Sequence, residues 1–275
     1  MRELGIHLRV YSTLAHVAEY AHQLGISTFQ AFGINQTTRK LISYDRDDCK
    51  NFVRVRRAHF GSLYIHASYW TNLSSVSKPN YKIIEHELHL AQRYEFTHIV
   101  IHPGHATGAI DRLEGIDALV RALNYLIKKY ANIYFVLENT CHGIHAIGSD
   151  LQDFFLIKSK LDSPERVVFC LDTAHAFVYG YDFVSENAQK EFIQLLDQTM
   201  SLDRIALIHL NDSHYGHGLK KDRHEIPGNG QIGYSALNSF AMDPQLYRIP
   251  LIVEPPELPE QELISVKKML DEWKI

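Results

Sequence analysis

Cysteine is scarce. Three in 275 residues (Cys49, Cys141 and Cys170) are too few, and too odd in number, for a disulfide framework, which implies a reducing compartment. No apolar run approaches the ~20 residues of a membrane span. The N-terminal Met-Arg-Glu-Leu-Gly-Ile-His lacks the apolar core of a secretory signal. A cytoplasmic location, nucleoid-associated in a prokaryote, is the resulting expectation. Basic residues do not dominate either: 28 Lys and Arg against 32 Asp and Glu leave a net charge of −4. That excludes a chain coated along its length by nucleic acid, while leaving room for a local basic face. Linkers, internal repeats and low-complexity stretches are absent, so residues 1–275 read as a single domain. Histidine, by contrast, is abundant. There are 17 of them, and histidine is the commonest metal ligand.

Short apolar runs alternate with helical patterns from end to end. Strands are expected at 3–8, 26–32, 62–67, 97–102, 132–138, 167–172, 204–210 and 249–254. Several are apolar on both faces, as a buried parallel sheet requires. Between them, Leu14, Val17, Ala18, Ala21 and Leu24 trace a helical stripe that Gly25 terminates. Ile116, Leu119, Val120, Leu123, Ile127 and Tyr130 trace another. Ser149 and Gln152 have capping-box spacing ahead of a helix that ends before Pro164, and a last helix covers roughly 260–273. Eight strands alternating with eight helical segments predict an α/β chain folded as a (β/α)₈ TIM barrel; a doubly wound open sheet is the alternative.

The strand ends carry the chemistry. His66, His102, Glu138, Asp172, His209 and Glu254 fall at or beside the ends of six consecutive predicted strands. In a parallel barrel those ends converge on one face, where barrel enzymes keep their active sites. A single strand-end polar residue is about as often a structural hydrogen-bonder as a ligand, but six together are poorly explained that way. His175 follows Asp172 by three residues, and Asp222 and His224 share one side of an extended segment. Five histidines and four carboxylates exceed the needs of one zinc, which takes four ligands, and suit a cluster of two or three ions. Ligands without sulfur favour zinc, with manganese or iron as substitutes. Such ions would turn a crowd of carboxylates into a positive pocket that attracts phosphate.

The segments His66-Ala-Ser-Tyr69, His102-Pro-Gly, Glu138-Asn-Thr and Asp172-Thr-Ala-His175 resemble those of the endonuclease IV family. So do His209-Leu-Asn-Asp212, Asp222-Arg-His224, Gly228-Asn-Gly-Gln-Ile-Gly233 and Ile252-Val-Glu254, so that the likeness runs through the whole chain in order. The resemblance implies a trinuclear-zinc apurinic/apyrimidinic endonuclease of base excision repair. His66, His102 and Glu138 would hold the first zinc. Glu138 would bridge to a second, with Asp172, His209 and Glu254, and His175, Asp222 and His224 would hold the third. The family cuts the phosphodiester 5′ to an abasic site in duplex DNA, leaving a 3′-hydroxyl and a 5′-deoxyribose phosphate, and trims blocked 3′ ends. Glu138 and Glu254 would act as the catalytic carboxylates, holding the attacking hydroxide. Asn139, Asn211 and Asp212 adjoin the ligands and would support them.

The chain departs from the family in the loops expected to meet DNA. Leu8-Arg9-Val10-Tyr11 replaces a serine and glycine pair, Gly33 to Arg39 keeps Asn35 and Gln36 but not the usual Lys, Arg and Trp, and Glu225 replaces a histidine. Arg9, Asn35, Arg39, Tyr69 and Arg223 are the expected DNA contacts. Arg223 is flanked by two ligands, and Tyr69 with Trp70 could stack on bases as readily as pack at a rim. The G-x-G-x-x-G pattern at 228–233 follows Pro227 rather than a strand, and so does not read as a dinucleotide site. His7 reads as a structural hydrogen-bonder, His142 and its loop neighbours as non-ligands, and Cys141 and Cys170 as core. A monomer is expected, and no membrane partner. Two rival functions remain in view: a divalent-metal sugar isomerase or epimerase, which has no need of a third site, and a catalytically lapsed DNA- or metal-binding relative.

Overall fold

Eight parallel strands close into a barrel in the computed structural model, which describes the chain apart from residues 36, 37, 39, 78–80, 144 and 275 and the side chains of 260 and 261. The barrel strands are β1 (Leu4–Leu8), β2 (Thr28–Phe32), β3 (Tyr64–His66), β4 (His98–Ile101), β5 (Tyr134–Glu138), β6 (Val167–Asp172), β7 (Ile205–His209) and β10 (Leu251–Val253). A small antiparallel pair, β8 (Asp212–Ser213) and β9 (His224–Glu225), folds over the carboxyl end between β7 and β10. The intervening helices are α1 (Leu14–Leu24), α2 (Arg46–His59), α3 (Lys82–Arg93), α4 (Arg112–Lys129), α5 (Gln152–Lys160), α6 (Thr173–Tyr179), α7 (Glu186–Thr199), α8 (Tyr234–Ala241) and α9 (Glu260–Leu270). Among the described residues, no helix is long and apolar enough to cross a membrane.

The apolar stripes account for the helices. Leu14, Val17, Ala18 and Ala21 turn one face of α1 into the core, and Gly25 stops the helix in the left-handed region at φ 71°. The expected capping box ahead of α5 does not form. Ser149 Oγ donates instead to His142 O (2.8 Å) and meets Thr140 Oγ1 (2.9 Å), and α5 starts without a side-chain cap. Hydroxyls compete for any nearby backbone acceptor, and here the loop wins over the helix.

Alternation along the strands positions the site. Tyr64, Val100, Val136, Cys170, Leu207 and Ile252 form a separate buried cluster inside the barrel, distinct from the larger core between strands and helices. Moving two residues along each strand keeps a side chain on the same face. Two residues on from those six stand His66, His102, Glu138, Asp172, His209 and Glu254. The same step on β1 and β2 brings in His7 and Gln30, which are directly paired. The apolar ring is thus the floor beneath a polar ring.

Candidate metal centre

Glu138 is the centre of the polar ring and is fully buried. Its Oε2 lies 3.0 Å from His66 Nε2 and 3.2 Å from His102 Nε2, while its Oε1 lies 2.9 Å from His209 Nδ1. One carboxylate therefore faces two groups of donors. His209 Nδ1 is also 3.3 Å from Glu254 Oε2 and 3.9 Å from Asp172 Oδ2. Around the rim, Asp222 Oδ2 is 3.3 Å from His175 Nε2, Asp222 Oδ1 is 3.4 Å from His224 Nε2, and the two Nε2 atoms are 3.4 Å apart. Ligand atoms of His66, His102 and Glu138 all lie within 4.8 Å of one another. The same is true of Glu138, Asp172, His209 and Glu254, and of Asp172, His175 and His224. The structure thus brings the nine expected residues into one contiguous cluster. The third group differs in detail, because Asp172 also stands against His175 (3.8 Å) and His224 (3.5 Å), a little farther than Asp222.

The electrostatics call for cations. Burial would raise the carboxyl of Glu138, but His209 and His102 outweigh it and hold the group well below the carboxylate range. Burial is likewise outweighed at Glu254, by His209 and His7. The mirror image holds at the imidazoles. Burial would lower His175 and His209, yet Asp172 and Asp222 push the first, and Cys170, Glu254 and Glu138 the second, well above the ordinary range. Buried anions this close together need positive charge, which protonated imidazoles or bound cations supply. A donor set of imidazoles and carboxylates at mutual ligand distance fits divalent ions of the zinc class.

A further layer of hydrogen bonds sets the orientation of these side chains. Asn211 Nδ2 donates to Asp172 Oδ2 (2.6 Å) and Glu254 Oε2 (3.2 Å), while its Oδ1 accepts from Glu254 N (2.8 Å). Asn139 closes on the backbone of Asp172 from both sides. Asp212 does not support the ligands as expected. It turns away and gathers the backbone N–H groups of Ser213, Gly228, Gly230, Ile232 and Gly233, which explains the glycine-rich segment as a carboxylate-organised loop. His7 makes the expected structural bonds, with Nδ1 3.1 Å from Glu254 Oε1 and 2.8 Å from Gln30 Nε2.

Two buried polar residues beside the cluster escaped the sequence reading. Gln30, fully buried, donates to Glu254 Oε1 (2.6 Å), and its Oε1 lies 3.0 Å from His209 Nε2. Its only sequence signal is an amide inside the apolar run Thr-Phe-Gln-Ala-Phe. Glu87 on α3 is also fully buried and accepts from Ser68 N (2.9 Å), beneath the loop that carries Tyr69. Burial pushes its carboxyl up to about 7.

The expected DNA contacts are less uniform. Tyr69 is 69% exposed, with its ring 6.0 Å from His66 and 5.7 Å from His102. Tyr69, Arg9 and Arg223 line a cleft of about 390 Å³ with Asp222, His224 and Glu254. Arg9 also lies 3.9 Å from Glu257. Asn35 commits its side chain to Tyr11 O (3.2 Å) and to Thr38. Arg39 and Gln36 lie outside the described residues.

Known proteins share this fold. The family model for xylose isomerase-like TIM barrels matches residues 18–272. The probable endonuclease 4 of Thermosipho melanesiensis is 29% identical, the match covering 98% of each chain. That of Thermotoga maritima is 27% identical over 98% of this chain and 96% of its own. Among solved structures, endonuclease IV from Thermus thermophilus superposes with a TM-score of 0.81 at 26% identity, covering 98% of both chains. This chain belongs to the xylose isomerase-like TIM barrel family and, within it, to the endonuclease IV proteins.

Proposed function

We propose that the chain is a zinc-dependent endonuclease that hydrolyses the phosphodiester 5′ to abasic sites in duplex DNA. It would leave a 3′-hydroxyl and a 5′-deoxyribose phosphate, trim blocked 3′ ends, and act as a cytoplasmic monomer in base excision repair. The observation that carries this reading is the cluster of nine histidines and carboxylates on one barrel face, in a chain similar to endonuclease IV along its length. His66, His102 and Glu138 would hold one ion. Glu138, Asp172, His209 and Glu254 would hold a second, and His175, Asp222 and His224 a third, with manganese or iron as substitutes. When bound, such ions supply a nucleophile near neutral pH and neutralise charge on the phosphate.

The protein's own groups do the rest. Glu138 and Glu254 are the carboxylates proposed to orient the attacking water, and Asn211 fixes Glu254 through its backbone N–H and its Oε2. Arg223, exposed between Asp222 and His224, offers a guanidinium to a phosphate at the cleft. Tyr69 presents an exposed ring beside the cluster, where an abasic gap leaves neighbouring bases without a stacking partner. A labelled duplex with one abasic-site analogue tests the reading. Incision 5′ to the lesion leaving a 3′-hydroxyl is expected, with loss of incision in His224→Ala. Tight binding of an uncut duplex at full metal occupancy would contradict it, as would aldose–ketose interconversion without incision.

A further inference from the structure

The proposed ligand set leaves two adjacent side chains unused at its rim. Cys141 and His142 lie just beyond β5, and Cys141 is fully buried while the His142 side chain is 42% exposed. Cys141 Sγ is 3.8 Å from His142 Nδ1, and His142 Nε2 is 4.0 Å from Asp222 Oδ2. One ligand atom from each of Cys141, His142 and Asp222 lies within 4.8 Å of the others. Zinc bonds of about 2.0–2.3 Å place tetrahedral ligands roughly 3.3–3.8 Å apart; the two short distances end on different nitrogens of His142, so its half-exposed ring must turn to offer one nitrogen to both partners. The backbone beneath is already fixed, since Ser149 Oγ donates to His142 O (2.8 Å) and Thr140 N to Gly148 O (3.1 Å).

We infer that Cys141, His142 and Asp222 form a thiolate-containing cation site beside the histidine–carboxylate cluster, taking a thiophilic divalent ion such as zinc, cobalt or cadmium. Sulfur sets this site apart from the cluster, whose proposed ligands contain none, and it selects softer ions. The inference rests on the cluster reading only through Asp222, which faces His175 and His224 as well. An ion bound here therefore shares a bridging carboxylate with the proposed third position.

Cobalt(II) added to the reduced, metal-stripped full chain is the probe. The wild type should develop a sulfur-to-cobalt charge-transfer band in the near ultraviolet. That band should be absent in Cys141→Ser, weaker in His142→Ala and unchanged in Cys170→Ser. The last variant matters because Cys170 lies near Glu138 and His209. Visible absorption from histidine-bound cobalt should persist in Cys141→Ser. Absence of the near-ultraviolet band from the wild type would overturn the inference. So would its survival in Cys141→Ser or its loss in Cys170→Ser. Failure of the cluster reading shows separately, as visible absorption missing from Cys141→Ser, and failure of the nuclease reading as missing incision.

Discussion

At the scale of single residues, the orientation of His209 depends on one amide. Glu254 accepts from Gln30 Nε2, which turns Gln30 Oε1 toward His209 Nε2 and leaves His209 Nδ1 facing Glu138 and Glu254. Fixing the tautomer of a ligating imidazole through its other nitrogen raises metal affinity. Gln30→Met keeps the volume and removes these bonds together with the contact to His7 Nδ1. It should weaken zinc binding roughly 10–100-fold in a chelator competition, with an unchanged circular dichroism spectrum. Unaltered affinity would contradict the positioning role. Six of the cluster residues were legible because each stands at or beside the end of an apolar run picked out in the sequence. Gln30 was not, since a neutral amide has no ligand signature. Its importance comes from Glu254 and His209, which are 224 and 179 residues away. Glu87 was hidden for a similar reason: its partner, Ser68, sits in a loop rather than on its own helix.

At the scale of elements, every barrel strand falls inside a run picked out by apolar and β-branched content, because burial on both faces leaves a strong compositional trace. The loops were less legible, since their side chains choose among many backbone partners. Ser149 bonding the loop instead of capping α5 is one instance. The segment 228–233 is another. Its glycines look like a phosphate loop, but Asp212 supplies the anion from within the chain. A Cβ at Gly230 would come within 2.5 Å of Asp212 Oδ1 and closer still to Ser213 O. Neither atom can retreat, because Asp212 is held by five backbone N–H groups. Gly230→Ala should therefore cost roughly 2–3 kcal/mol, read as a lower urea midpoint. A midpoint equal to that of the wild type would show that the loop is not so constrained.

At the scale of the whole molecule, a chain of net charge −4 concentrates buried anions and the imidazoles that answer them on one barrel face. The apolar ring of Tyr64, Val100, Val136, Cys170, Leu207 and Ile252 lies below, and the cleft lined by His7, Asp222, His224 and Glu254 lies above the polar ring. Composition alone excluded a uniformly basic nucleic-acid binder. It carried no sign of a local positive field, which is proposed to come from bound ions rather than from side chains. On the proposed function, the nine-residue cluster acts as a three-ion unit on the phosphodiester. The most direct measurement of this action is incision of an abasic duplex by the metal-stripped chain as zinc is added back in counted equivalents. The account predicts that incision 5′ to the lesion rises only as the third equivalent enters the cluster. Full activity at one or two equivalents, or none when all three are bound, would contradict it.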